Sequence, residues 1–373
     1  MAKPSLIKDE YVPTSGTTLA KHTGIREWIS TGNLAVNLVI SGDVHKGFPT
    51  GKITQFAGPE SVGKSFVIGK CAKEAQEQGY TVYWFDSEGA VEPQKLIDMG
   101  IDPNKCYIIV DNVIKHIQTE VLKLLDATDA KKHKRLIIID SLGNLVSGKE
   151  NTDAMTGNDK QDMTKPKELK SLMKTIAVPA SVKQVPILVA NHEYQTIEMF
   201  SKTVQSGGKG IAYNSSTILS MTKSKEQSKD KKKQLGSGMR CKAVKNRWAI
   251  EGMIVKPVIM FSTGLTKYSG LFQLAIDHDW VVSPKNGSYS FRTEKDADIN
   301  AWTSPEQKAK EKKDKTPPKG WSELFKVGHF GNNPELWDNL LKLGFADTLN
   351  QNFSYQNHLA NLPEDEVEDL DEP

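Results

Sequence analysis

A chain of 373 residues has room for two or three domains, or for one large core with additions. Its apolar residues fall in short separate runs, none near the ~18–20 residues that span a bilayer, and Met1–Ser5 opens on no apolar signal region, so a cytoplasmic protein with no membrane partner is expected. The net charge of +3 hides an asymmetry: the last eleven residues hold seven acids and no base, and the rest of the chain stands at +10, a balance that fits either a polyanion partner or an ordinary solvated surface.

Residues 1–29 are polar and weakly patterned and read as an N-terminal arm that docks on a neighbour, with a short amphipathic turn or helix over Ile25–Ile29. Ser30-Thr31-Gly32 breaks it, and the apolar run Leu34–Ile40 follows. Gly51–Ala57 is β-branched and aromatic and reads as a strand. Next comes Gly58-Pro59-Glu60-Ser61-Val62-Gly63-Lys64-Ser65, a complete G-x-x-x-x-G-K-[ST] motif. Phe66, Val67, Cys71, Ala72 and Ala75 then recur at helical spacing up to Gly79. Strand, glycine loop and helix are the setting the motif needs for its backbone N–H groups to close around phosphate oxygens.

The chain then alternates. Apolar strands are expected at Thr81–Asp86, Arg135–Asp140 and Val185–Asn191, and helices at Ile114–Leu125 and Lys167–Val178, the latter with Pro166 in its first turn. Strands apolar on both faces and separated by helices imply a parallel sheet, whose functional loops gather at the strands' C-terminal ends. From Ser215 the pattern changes: Ser216–Thr222, Met239–Trp248 and Lys256–Ser262 read as strands added antiparallel, around a solvated loop Lys223–Gly238. Residues 285–362 read as a small C-terminal domain, in which Ser304–Lys319 is a charged helix or linker, and residues 363–373 as an acidic tail. Cys71, Cys106 and Cys241 are far apart, show no metal-ligand spacing and read as reduced thiols.

Phosphoryl transfer needs a Mg²⁺ clamp, a positioned water and positive charge at the γ-phosphate. Lys64 suits the β/γ-phosphates, and Ser65 with Asp140, at the end of its apolar strand, suits Mg²⁺. Glu88, with Asp86 and Glu92 as competitors, is a candidate base for the attacking water. His192 follows Asn191 at another strand end, where it could bond a γ-phosphate and report it to the next loop. That loop, 193–210, holds Phe200, Lys202, Gly207, Gly208 and Lys209; basic and aromatic residues on a glycine-bearing loop suit single-stranded nucleic acid. A second polar loop, 147–164, also follows a strand end, with Lys165 and Lys170 just beyond it.

With these stretches in view the chain resembles the RecA-type recombinases, and in particular their phage form. The resemblance is carried by Ser30-Thr31-Gly32-Asn33-Leu34, Gly58-Pro59-Glu60-Ser61, Phe85-Asp86-Ser87-Glu88, Asp140–Leu145, Asn191-His192 and Glu198–Val204, and spans roughly residues 25–280. It implies a RecA-like P-loop ATPase core over 30–284, using ATP and Mg²⁺. It implies Glu88 as catalytic base, His192 as γ-phosphate sensor, loops 147–164 and 193–210 as DNA-binding loops, and Lys245 and Arg247 as charges that reach a neighbour's ATP. Lys245 to Arg247 read bottom-up would be a solvated basic strand. The family's adenine-stacking tyrosine is replaced by Lys95, and Phe261 stands near a second base-capping position. The implied function is strand exchange between a helical filament on single-stranded DNA and a homologous duplex, with a mediator or loader and a single-strand-binding protein as partners. The alternatives are a hexameric RecA-like helicase and a RecA-core ATPase serving as a regulatory or assembly module.

Overall fold

The computed structural model describes residues 24–129, 131–157, 164–195, 203–205, 209–224, 236–285, 287–303, 316–328 and 333–355. The chain enters through β1 (Trp28–Ile29), α1 (Leu34–Ser41) and β2 (Phe48–Pro49). It then lays down β3 (Ile53–Gly58), α2 (Lys64–Glu77), β4 (Thr81–Asp86), α3 (Pro93–Asp98), β5 (Cys106–Val110), α4 (Ile114–Asp126) and β6 (Arg135–Asp140). After α5 (Gly148–Thr156) and α6 (Lys165–Lys183) come β7 (Ile187–Gln195), β8 (Thr203–Gln205), α7 (Lys209–Asn214), β9 (Thr217–Ser224) and β10 (Gly236–Lys245). The remainder is β11 (Ile254–Val255), β12 (Val258–Met260), β13 (Gly264–Leu265), α8 (Leu271–Asp277), β14 (Val281–Lys285), β15 (Ser288–Phe291), α9 (Pro334–Leu340) and α10 (Ala346–Phe353).

The expected α/β plan is present. Strands run β13-β12-β10-β9-β3-β7-β6-β4-β5, and the six from β9 to β5 are mutually parallel. Their side chains alternate between two cores, as a period of two requires. Leu136, Ile138, Leu188 and Ala190 enter one; Ile137, Ile139, Ile187 and Val189 enter the other. Helices α4 and α6 fill the second core through Ile114, Ile117, Val121, Leu169, Leu172 and Ile176.

Several expectations change. Ile25–Ile29 is not an amphipathic helix: Trp28 and Ile29 pair antiparallel with Pro49 and Phe48, which satisfies their backbone in a small sheet. The Ser216–Thr222 strand is not antiparallel: β9 lies parallel to β3, and the antiparallel edge begins at β10. Helix α6 runs through Pro179 to Lys183, because burial of Ile176 and Ala180 on either side outweighs the proline's local cost. The polar loop after Ser147 holds helix α5, closed by a capping box in which Ser147 and Glu150 exchange hydrogen bonds. In the other loop, β7 extends to Gln195 and pairs with β8, so a hairpin emerges from the sheet edge. Phe200, Lys202, Gly207, Gly208, most of the loop Lys223–Gly238 and the acidic tail lie outside the described residues.

The C-terminal helices share the first core. Leu336, Phe345, Leu349 and Phe353 join α1, whose eight residues are all buried, and Phe345 packs 5.7 Å from Trp280. Phe345→Ala is expected to cost about 3–5 kcal/mol, the usual range for a fully buried phenylalanine, and denaturant unfolding measures it.

Candidate active site

The first-ranked chemistry of the sequence converges at one end of the parallel strands. Asp86 and Asp140 are register partners at the ends of β4 and β6, and Gly58, the last residue of β3, is the register partner of His192, where the β3–β7 ladder stops. A strand's last residue leaves the ladder there, so its side chain or the next one faces the loop cluster.

The loop after β3 is shaped for close backbone approach. A Cβ on Gly58 would lie 2.2 Å from the Met221 carbonyl oxygen, and Gly63 holds φ +101° at the start of α2. Lys64 is buried, and its ammonium donates to the carbonyls of Gly58 at 2.9 Å and Pro59 at 2.8 Å. Burial pulls its pKa down, opposed by the charges of Asp140, Glu88, Glu60 and Glu193.

Asp140 is buried, with the Ser65 side chain near its carboxylate. Burial, with Glu88 and Asp86 nearby, pushes its pKa up to about 6 against the pull of Ser65 and Lys64. The folded state therefore holds this proton more tightly than the unfolded chain, and stability falls as pH rises from about 4 to about 6. Above that window the ionised carboxylate costs on the order of 3 kcal/mol. Asp140→Asn should accordingly raise the melting temperature of the nucleotide-free protein at pH 8 and leave it nearly unchanged at pH 4, as measured by thermal melts.

Glu88 stands beside a serine pair that sequence reasoning missed. The Ser87 hydroxyl donates to the Ser141 carbonyl at 2.7 Å and accepts from the Ser141 N–H at 2.9 Å, tying the ends of β4 and β6 together. The Ser141 hydroxyl donates to Glu88 Oε1 at 2.8 Å. His192 Nε2 lies 3.0 Å from the same hydroxyl and 3.3 Å from Glu88 Oε1. With the serine proton on Glu88, the network assigns the imidazole N–H as donor to serine. Both contacts fall on Oε1, so Oε2 remains for a water. The available signal was a serine next to an acid at two adjacent strand ends. The competitors are engaged elsewhere: Asp86 accepts from the N–H groups of Glu88 and Val91, and Glu92 pairs with Lys95 at 2.9 Å.

Beside these groups opens a cavity of about 740 Å³, walled by Phe66, Trp84, Leu96, Met99 and Phe261 and reaching Asp140. Phe261 is 67% exposed at its rim, and Lys95 lines it too. Apolar walls beside a phosphate cradle suit a nucleobase.

Lys245 and Arg247 are not brought to this cavity. β10 starts near the glycine loop, where a Cβ on Gly63 would meet Met239 Sδ at 3.2 Å, and runs antiparallel to β9 toward the other end of the sheet. Lys245 donates to the carbonyls of Ala212 and Tyr213, at 2.8 and 3.2 Å, near the end of α7. Burial and Arg247 lower its pKa, against Glu251. Arg247 is exposed, while Asn246 between them is structural: it donates to the Val39 and Ile40 carbonyls and accepts from the Trp248 N–H. Lys165 donates to the Gly143 carbonyl at 2.9 Å, and Lys170 is exposed on α6. Lys209 opens α7. Among the described residues no three His, Cys, Asp or Glu side chains form a metal centre, and no helix is long and apolar enough to cross a membrane.

The model of the RecA N-terminal domain matches residues 7–266, and that of the C-terminal domain of the bacteriophage T4 recombination and repair protein, UvsX, matches 268–333. The chain is 31% identical over 317 residues to the recombination and repair protein of Enterobacteria phage T4, covering 84% of this chain and 79% of that one. It is 25% identical over 268 residues to RecA of Lactobacillus delbrueckii subsp. bulgaricus, covering 72% and 78% respectively. RecA of Leptospira biflexa is 27% identical over 270 residues, covering 72% of this chain and 67% of that RecA. The RecA N-terminal match over residues 7–266 and the 31% identity to the phage T4 recombination and repair protein place the chain in the RecA family of recombinases.

Proposed function

We propose that this chain is an ATP-dependent DNA recombinase that forms a helical filament on single-stranded DNA, hydrolyses ATP in response to it, and exchanges strands with a homologous duplex. Its setting would be recombination, repair and recombination-dependent replication in the cytoplasm, with a mediator or loader and a single-strand-binding protein as partners. The observation that supports this most is the junction at His192. The residue faces Glu88 beside the glycine loop, and its strand runs straight on into the β7–β8 hairpin, within the candidate DNA loop.

The backbone of Gly58 to Ser65 wraps the triphosphate, Lys64 leaves its carbonyls for the β/γ-phosphates, and Phe261 covers the base. A divalent cation would be held by Ser65 and Asp140, a hydroxyl and a buried carboxylate that line the same cavity, and when bound it would neutralise charge on the phosphates. Glu88 Oε2 takes a proton from the attacking water as its oxygen bonds to the γ-phosphorus; the bond to the bridging oxygen breaks and ADP leaves. The His192 Nε2–H, shared with Ser141, bonds the γ-phosphate and holds the following loop in its DNA-binding form until phosphate departs. Lys245 and Arg247 supply positive charge to the site of the next protomer. Lys165, Lys170, Phe200, Lys202, Gly207, Gly208 and Lys209, in and beside loops 147–164 and 193–210, hold DNA chiefly through its backbone, so binding falls with salt and varies little with sequence. Residues 1–29 serve as the protomer contact, 30–284 as the ATPase core, 285–362 as the C-terminal domain and 363–373 as the acidic tail.

Strand exchange with a homologous duplex, with an unrelated duplex as control, tests the reading. Exchange restricted to the homologue is expected. Unwinding that ignores homology would indicate a helicase instead, and ATP turnover indifferent to single-stranded DNA would indicate a regulatory ATPase.

A further inference from the structure

The loop after β6 carries a glycine whose backbone does not call for one. Gly143 lies outside the positive-φ glycines, so other residues could adopt its conformation. What a side chain there would meet is specific: an added Cβ would lie 2.4 Å from His192 Cδ2, 3.2 Å from its Cγ and 3.4 Å from its Cβ. The first distance is far inside van der Waals contact, so ring or loop must move.

Neither is free to do so. The imidazole is held on its far side by the Ser141 hydroxyl at 3.0 Å and Glu88 Oε1 at 3.3 Å. The loop is fixed on both sides of the glycine: the Leu142 N–H donates to the Ala190 carbonyl at 3.0 Å, and the Lys165 ammonium donates to the Gly143 carbonyl at 2.9 Å. Ser141 itself is clamped by the two Ser87 hydrogen bonds. The ring thus has its Cδ2 edge against the bare Cα of Gly143 and its Nε2 against a fixed hydroxyl and carboxylate.

We propose that Gly143 is a positioning residue for hydrolysis: its missing side chain sets the imidazole of His192 against Ser141 and Glu88, so that the γ-phosphate contact and the base are held as one unit. This rests on the roles given above to His192 and Glu88. It differs from a folding requirement for glycine, because the obstruction is confined to one side chain. Removing that side chain should remove the need for glycine.

A double-mutant cycle on the full chain tests this, with ATP turnover on single-stranded DNA measured for wild type, Gly143→Ala, His192→Ala and the double variant. Gly143→Ala is expected to lower kcat by about 10- to 100-fold, the scale of an ångström-level misplacement, with KM for ATP and affinity for an ATP analogue within about 3-fold of wild type. The double variant should be no slower than His192→Ala. Thermal melts give a second reading: Gly143→Ala should melt below wild type, whereas the double variant should match His192→Ala. Gly143→Ala at the wild-type rate, or losses in rate and melting temperature that simply add in the double variant, would overturn the proposal. A wild-type chain that turns over no ATP would instead sink the proposed function, and the inference with it.

Discussion

Glu88→Gln is expected to lower ATP turnover on single-stranded DNA by about 10²–10⁴-fold, the usual contribution of a positioned general base, and to leave nucleotide affinity within a few-fold. The amide keeps an oxygen to accept from the Ser141 hydroxyl at the place of Oε1, so the clamp between β4 and β6 survives. What it loses is the basic oxygen for the water. The cradle is untouched, since Lys64 and Ser65 belong to another loop and Asp140 to another strand. Steady-state hydrolysis and binding of a fluorescent ATP analogue separate the two effects. A rate within 3-fold of wild type would show that another group takes the proton, and Asp86 would be a poor substitute because both its oxygens already accept backbone N–H groups.

Arg247→Ala is expected to reduce turnover by about 10³-fold, the low end of what a charge supplied in trans contributes, while ATP still reaches the P-loop. The fold is consistent with the proposal that this charge serves a neighbour. β10 carries Lys245 away from the glycine loop, and the segment beyond it is anchored: Trp28 packs edge-on to Trp248 at 5.3 Å, Ala249 bridges to Ser354, and Asn246 is bonded to α1. Arg247 is exposed at this anchored corner and does not line the cavity beside its own glycine loop. Mixing Arg247→Ala with Glu88→Gln then gives a sharp outcome. In a random equal mixture roughly a quarter of head-to-tail interfaces pair an intact Glu88 with an intact Arg247. The mixture should recover a sizeable share of wild-type turnover although each variant alone is nearly inert. No recovery above the mean of the two variants would place the whole site within one protomer.

The contrast between Glu88 and Arg247 shows where the sequence was legible. Glu88, Asp140 and His192 each end an apolar run, and in a parallel sheet such ends gather on one side, so periodicity alone brought them to the cradle. Arg247 had no such signal. Its neighbour Asn246 proved structural and its strand direction emerges only from pairing, so resemblance to a family was needed to single it out. The direction of β9 was misread for a related reason: a strand's partner is set by the tertiary register, not by its own residues. Ile25–Ile29 was misread because five residues fit a helical or an extended pattern equally well, and pairing with Phe48–Pro49 decided it. Helix α5 was hidden by its polarity. None of its residues is buried, and it starts on a local capping box rather than an apolar stripe. Ser87, Ser141 and Gly143 stood out less for another reason: their importance lies in contacts across adjacent strand ends, about 50 residues apart in the chain.

The resulting picture makes the glycine loop one wall of an interface. In the proposed reading its own protomer supplies base and sensor, the next supplies charge, and the segment after His192 joins both to DNA. Electron microscopy of the chain with single-stranded DNA and a non-hydrolysable ATP analogue tests this most directly. Continuous helical filaments that shorten or dissolve when Arg247 is replaced by alanine are expected; closed rings or isolated protomers on the DNA under the same conditions would contradict it.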